Sequence, residues 1–497
     1  MAAAAWGASV HAADNDVSQA AAELHDKYAA DLETLAKWCE ANGLKEEARK
    51  TRRVVSPSDP YKLYVPVLPD EVGPPKLPAG AVAKVVDWDA KLWKLRSDYA
   101  AASYEIARRA VRAGRAGLAF ASVLDAVQAN PDYEPARRLL GYQKYHDQWR
   151  TPYEVKKLRA GLVWSDKFGW LSKANLHRYE EGERYRDGRW ISADEDAKRH
   201  GDINSGWNVE TEHYLIRTDH SIEAAVALGA KLERLNRIWR RLFIRYYAAE
   251  ADLVGLFEGR LKSAMASPVK HSVYLYRDRE EYDRSLRPQV PNIEITSGFY
   301  CQKPARVHFF VGKDCDDRIL HHEATHQLFH ESRPVAPDVG RTHNFWIAEG
   351  IALFMESLRR EDGYDVLGGF DDERLYAAQY RLLSDKFYVP LDEFVDFGME
   401  KLQKDPRIAK LYSEAAGLTH FLIFYDGGRY RSALVSYLLA VYSGRDDHDT
   451  LAKLTGEDYS ELDKQYRKFL EAGPSLDTTK DESSPGKAPP DGAPQRP

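Results

Sequence analysis

The chain has 497 residues, 43% of them hydrophobic, enough for a large core and about two or three domains. Its 71 Lys and Arg nearly cancel 77 Asp and Glu, which excludes a chain-wide field that would draw it to nucleic acid or an anionic membrane. No stretch approaches the ~20 consecutive apolar residues of a membrane-spanning helix, so no integral membrane segment is expected.

The opening residues MAAAAWGASVHAAD form an Ala-rich run that ends in Val10-His11-Ala12, the small-x-small pattern found before a signal cleavage point. The first basic residue is Lys27, so the basic leader is missing and residues 1–13 read as a signal-peptide remnant. That reading predicts a secreted or periplasmic protein; an Ala-rich accident in a cytoplasmic one is the alternative.

Residues 14–150 read as a helical region. Leu24, Tyr28, Leu32, Leu35 and Trp38 recur at helical spacing, and the Pro-rich segment 54–80 cannot continue that helix, so it is a linker or an extended wrap. From about 88 to 150, small residues at helix-contact spacing and the turn NPDYEPA resemble a helical hairpin of the tetratricopeptide kind. One unit is no array, so a scaffold is expected first, and a surface for a protein partner second.

Residues 151–206 are a connector, in which RYRDGRWIS predicts a β-hairpin turning at Asp187-Gly188. A new pattern spans 207–473. WNVETEHYLIRT, HSVYLYR and RVHFFVG read as strands, SIEAAVALGAKLERLNRIWRRLF as a helix, and nearly everything after 316 as helical, including NFWIAEGIALFMESLRR. Strands first and helices afterwards predict an α+β fold. The tail 474–497 is Pro/Ser/Asp-rich without apolar anchors and is expected to be disordered. Cys39, Cys301 and Cys315 make no disulfide framework; Cys301 and Cys315 are either a pair or two free thiols.

The stretch ILHHEATHQLFHE, residues 319–331, contains His322-Glu323-Ala324-Thr325-His326, an HExxH motif. Residues four apart share a helix face, so both imidazoles can reach one Zn²⁺ while Glu323 leans toward its open side. Asp316 or Asp317 can cap that helix. For a third ligand, the metzincin position is Ser332, not His. His330 lies about 6 Å further along the axis from His326 and about 12 Å from His322, too far to share one tetrahedral ion. Glu349 in NFWIAEGIALFME, on a second helix starting near Asn344, completes a two-His, one-Glu set with one position open, as in a catalytic zinc site. Asn344 is expected to cap the second helix, and His343 to cap it or meet substrate.

HExxH followed by an E-G/A-x-A helix resembles the gluzincins, the metallopeptidases that include thermolysin and the aminopeptidase N-type enzymes. The likeness covers about residues 207–470. It implies a small mixed sheet with a helical half, Glu323 as general base, and Glu356, two turns after Glu349, as the carboxylate that orients the ligands. LYSEAAGLTHFL resembles the tyrosine helix of those aminopeptidases, which implies that the Tyr412 phenol stabilises the oxyanion. HEATHQ and WIAEGIA together also resemble a bacterial group, family 1570 of the domains of unknown function. The gap from His326 to Glu349 is 22 residues, longer than in the aminopeptidases. Their Gly-Ala-Met-Glu-Asn strand is absent, and Glu414 and Ala415 replace the Lys and Gly of the tyrosine motif, so exopeptidase activity is not implied.

These readings predict a zinc metallopeptidase acting on peptides or proteins. TSGFYCQ or RVHFFVG, if either is a sheet edge beside the cleft, would take the substrate as an added strand. The alternative is a catalytically inactive zinc-fold protein that holds a partner through the cleft or the helical region.

Overall fold

The computed structural model describes residues 2–474 except 56, 70–71, 73–76, 78–79 and 262–269. The tail expected to be disordered therefore lies outside the described residues, apart from Pro474. The fold is α+β, as predicted, and no helix among the described residues is long and apolar enough to cross a membrane.

The alternating segments after 206 build a five-stranded sheet in the order β11-β12-β10-β9-β8. β8 (Trp207–Glu210) and β9 (Tyr214–Thr218) alternate buried and less buried residues, as strands with one face on a core must. The central strands β10 (His271–Tyr276) and β12 (Ala305–Phe310) run parallel to each other, and β10 also runs parallel to β9. β11 (Phe299–Gln302) pairs with β12 antiparallel and is the outer strand on that side. Of the two stretches considered as a sheet edge, FYCQ is the edge and RVHFF is internal. The histidine helix, Asp317–Glu331, packs on β11 and β12. Its Phe329 sits among Trp239, Phe243, Tyr246 and Tyr442, with ring centroids 4.8–5.3 Å away. Such pairs each contribute about 0.5–1.5 kcal/mol beyond burial, so this nest fixes the helix firmly.

The stretch NFWIAEGIALFMESLRR, expected to be helical, is so only in part. The helix Phe345–Met355 stops short of SLRR, and β13 (Arg359–Glu361) and β14 (Tyr364–Gly368) form a hairpin. Asp362 and Gly363 turn it with φ of 43° and 86°, the left-handed pair that suits strand twist. The third strand of this sheet comes from the Pro-rich segment: β1 (Lys62–Pro66) pairs antiparallel with β14, Lys62 opposite Gly368. The segment is thus a wrap, and Pro66 is tolerated because β1 is an edge strand.

The stretch 88–150, read as a helical hairpin, holds the helices Ala83–Arg112, Ala116–Ala129 and Glu134–Leu139 but turns to strand at 143–150; the first of them packs on the helix Ala2–Ala41 through stacked Tyr28 and Tyr99. Ala83–Arg112 alone spans 30 residues, so its pair with Ala116–Ala129 is larger than a ~34-residue tetratricopeptide unit. One contiguous core cluster runs from Val17 to Leu470 and joins these helices to the C-terminal half.

Between them lies an internal repeat that the sequence reading did not find. The hairpins β2–β3 (Gln143–Tyr145, Gln148–Arg150), β4–β5 (Leu162–Ser165, Gly169–Ser172) and β6–β7 (Glu183–Arg186, Arg189–Ser192) follow one another, each leading into a short helix. The predicted Asp187-Gly188 turn is the third of them, with φ of 48° and 81°. Gly141, Gly161 and Gly182 precede the hairpins with φ of 89°, 78° and 87°, and open space surrounds each of them, so backbone handedness selects glycine there. Trp149, Trp170 and Trp190 occupy the second strands, each two residues before a Thr or Ser. These units lie along β8: the Trp207 indole donates to Asp196 at 2.7 Å, and Lys157 pairs with Glu210 at 2.9 Å.

Candidate metal centre

The Asp316 carboxylate accepts from the amides of Arg318 and Ile319 at 3.0 and 3.1 Å and starts the histidine helix, where the sequence reading had offered Asp316 or Asp317. The helix is then buried from Leu320 to Phe329, so its polar residues must satisfy one another. His322 Nε2 lies 3.2 Å from His326 Nε2. Glu349 reaches the same point from the second helix, its two oxygens 3.5 Å from His322 Nε2 and 3.8 Å from His326 Nε2. Neighbouring donors of a tetrahedral zinc lie about 3.3 Å apart, so the three predicted ligands fit one ion. His330 is outside the group, as expected; its Nε2 lies 3.3 Å from Gln302 Nε2, beside the rings of Tyr300 and Tyr442.

Glu349 is placed by the way its helix is hung. Asn344 stands at the cap position, but with φ of +56° its side chain makes no cap bond. It donates to Asp446 at 2.9 Å and accepts from the Tyr437 hydroxyl, so it anchors the helix from outside instead of capping it. His343 is also tied to Asp446, at 3.1 Å. Further along, Gly350 lets the helix cross the long helix Ile408–Gly428: a Cβ there would lie 2.7 Å from Ala415 O and closer still to Thr419 Oγ1. Gly350→Ala is expected to cost about 1–3 kcal/mol by overpacking, read in chemical denaturation, and to lower metal occupancy because Glu349 is its neighbour. Unchanged stability would show that the crossing can yield.

Tyr412 belongs to that long helix, three and seven residues before Ala415 and Thr419, and it is buried. Glu414, two residues further on, accepts the Val389 amide at 3.0 and 3.2 Å. Burial pushes its carboxyl well above the usual carboxylate range.

Glu356 touches a candidate ligand directly: its Oε1 lies 2.9 Å from His322 Nδ1. That contact leaves Nε2 of His322 facing His326 and Glu349. Burial opposes ionisation of Glu356, but the Arg374 charge and then His322 overcome it and hold the carboxyl at about 2. Burial likewise disfavours a charged His322, yet its bonds to Glu349 and Glu356 outweigh that and lift the imidazole to about 9.

Glu323 is positioned by a contact that spacing could not reveal. Its Oε2 accepts the backbone amide of Tyr300, on the edge strand β11, at 2.9 Å. Gly298, just before β11, permits this approach, since a Cβ there would lie 2.8 Å from Ile319 and 3.3 Å from Glu323. Arg318 and Arg374, both on Glu356, were also missed; neither stands at a spacing that marks a metal site. Cys39, Cys301 and Cys315 are all free, so Cys301 and Cys315 are not joined. A cavity of about 780 Å³ bounded by Tyr388, Tyr459 and Asp463 shares no residue with the donor cluster.

The geometry defines a buried two-histidine, one-glutamate centre able to hold one metal ion, with a second carboxylate, Glu323, on the same helix as the histidines. No family model, curated protein or solved structure matches the chain.

Proposed function

We propose that the chain is a zinc metallohydrolase that cleaves peptide bonds, with His322, His326 and Glu349 as the metal ligands and Glu323 as general base. The observation that carries this reading is the buried triad at tetrahedral spacing with Glu323 between its two histidines. Nitrogen-rich donors that leave a position open suit Zn²⁺ better than Mg²⁺ or Ca²⁺, which take more oxygens. When bound, Zn²⁺ supplies a Lewis acid that polarises a carbonyl and acidifies water.

The chain's own residues divide the remaining work. The Tyr300 amide holds one oxygen of Glu323, leaving the other to take a proton from water and hand it to the leaving amine. The Tyr412 hydroxyl donates to the developing oxyanion, and Glu356 keeps His322 turned with Nε2 toward the metal. β11 offers its outer edge to an extended peptide.

A second reading, a zinc-fold protein that binds a partner without turnover, is favoured by the hairpin units, which leave Trp164 37% and Tyr185 45% exposed. The two readings part on one assay. Hydrolysis of a denatured protein or a quenched peptide library is expected from the purified chain, to be lost with chelator and restored by zinc. A fully metallated chain without turnover on such a library favours the second reading.

A further inference from the structure

Glu356 is a carboxylate with no exposed side-chain surface, a state that costs several kcal/mol unless its charge is matched. The match comes from outside the two ligand helices' donor face. Arg374, in the first turn of the helix Glu373–Leu383, donates from Nε to Oε2 at 2.8 Å and from Nη2 to Oε1 at 3.2 Å, a fork that spans both oxygens. Arg318, at the start of the histidine helix, donates from Nη2 to Oε2 at 3.2 Å. Only then does Oε1 meet His322 Nδ1.

We propose that Arg374 and Arg318 are positioning residues of the metal centre: by fixing both oxygens of Glu356 they set the orientation in which His322 offers Nε2 to the ion. The inference rests on the metal reading above. A merely structural ion pair would need no such aim, since one guanidinium on the rim would neutralise the charge. Two guanidiniums from separate elements define a plane, and that plane fixes where the third partner, the imidazole, sits. The site that grips Arg374 also reaches the N-terminal wrap. Asp372 caps its helix by accepting from the Arg374 and Leu375 amides at 3.1 Å. Asp371, one residue earlier, is held by Arg359 at 2.9 Å and by Lys62 of β1 at 3.0 Å. The clamp thus stands between the small sheet and the histidines.

The test is metal affinity by chelator competition, with the visible spectrum of the Co²⁺-loaded full chain as a second readout. Arg374→Gln is expected to weaken Zn²⁺ binding by about 10–100-fold and to shift the Co²⁺ bands, because the coordination angle changes. Arg374→Lys should recover part of the loss, since it keeps the charge without the fork. Arg381→Gln, on the same helix, removes a pair with Asp385 just beyond its end and should leave both readouts unchanged. If Arg374→Gln fails to fold, Arg318→Gln takes its place, because that side chain is 30% exposed and tolerates truncation; a smaller shift in the same direction is expected. Wild-type affinity and spectrum in the folded arginine variant would overturn the inference. A wild-type chain that takes up no metal overturns the metal reading, and this inference with it.

Discussion

Glu323→Gln is expected to keep its metal and lose hydrolysis by orders of magnitude. The amide has nearly the shape of the carboxylate, and its oxygen can still accept the Tyr300 amide that now binds Oε2 at 2.9 Å. Position on the helix is therefore preserved, and the three ligands are untouched. What vanishes is the proposed general base. Tyr412→Phe should lose less, about 10²–10³-fold, because one oxyanion donor is removed while the metal remains. Metal content and initial rates on a quenched peptide, measured on the same preparations, check both. Equal rates in wild type and Glu323→Gln would reject the mechanism outright.

The second large effect is on the metal itself. Elemental analysis is expected to find about one Zn²⁺ per chain, and none retained through a chelator wash by His326→Ala. No neighbour can replace that imidazole. His330 faces Gln302 and the Tyr300 ring, a full turn away, and His322 already commits Nδ1 to Glu356. The loss should also appear as stability, since an ion bound only by the folded chain stabilises it by mass action, about 2.7 kcal/mol at 100-fold excess over the dissociation constant. Wild-type chain should therefore melt lower with chelator, and His326→Ala should show no such shift. Full zinc in that variant would place the ion elsewhere.

How much of this could be read before the fold was known depends on how local each feature is. His322 and His326 lie one helical turn apart, so periodicity alone puts them on one face, with Glu323 between them in sequence. Glu349 needs a second helix crossing the first, a relation carried by Asn344, Gly350 and the long helix that spacing does not encode. Arg374 comes from a third element, and nothing in its neighbourhood distinguishes it from the chain's other arginines. The hairpin repeat was missed because only a Gly, a Trp and a Ser or Thr recur, with strands of three or four residues too short for alternation to show. β13 was missed because Arg359-Arg360-Glu361 has no apolar alternation; pairing with β14 makes it a strand.

That small sheet has a consequence for the order of events on the ribosome. Lys62 lies opposite Gly368, a partner made about 300 residues later. At about 5–20 residues per second, β1 emerges roughly 15–60 s before the strand that will receive it. Until then its row of amides and carbonyls lacks the strand it pairs with. A pairing of such long sequence separation is slow to find, so closing this sheet should be among the last steps of folding and the one most exposed to chaperones.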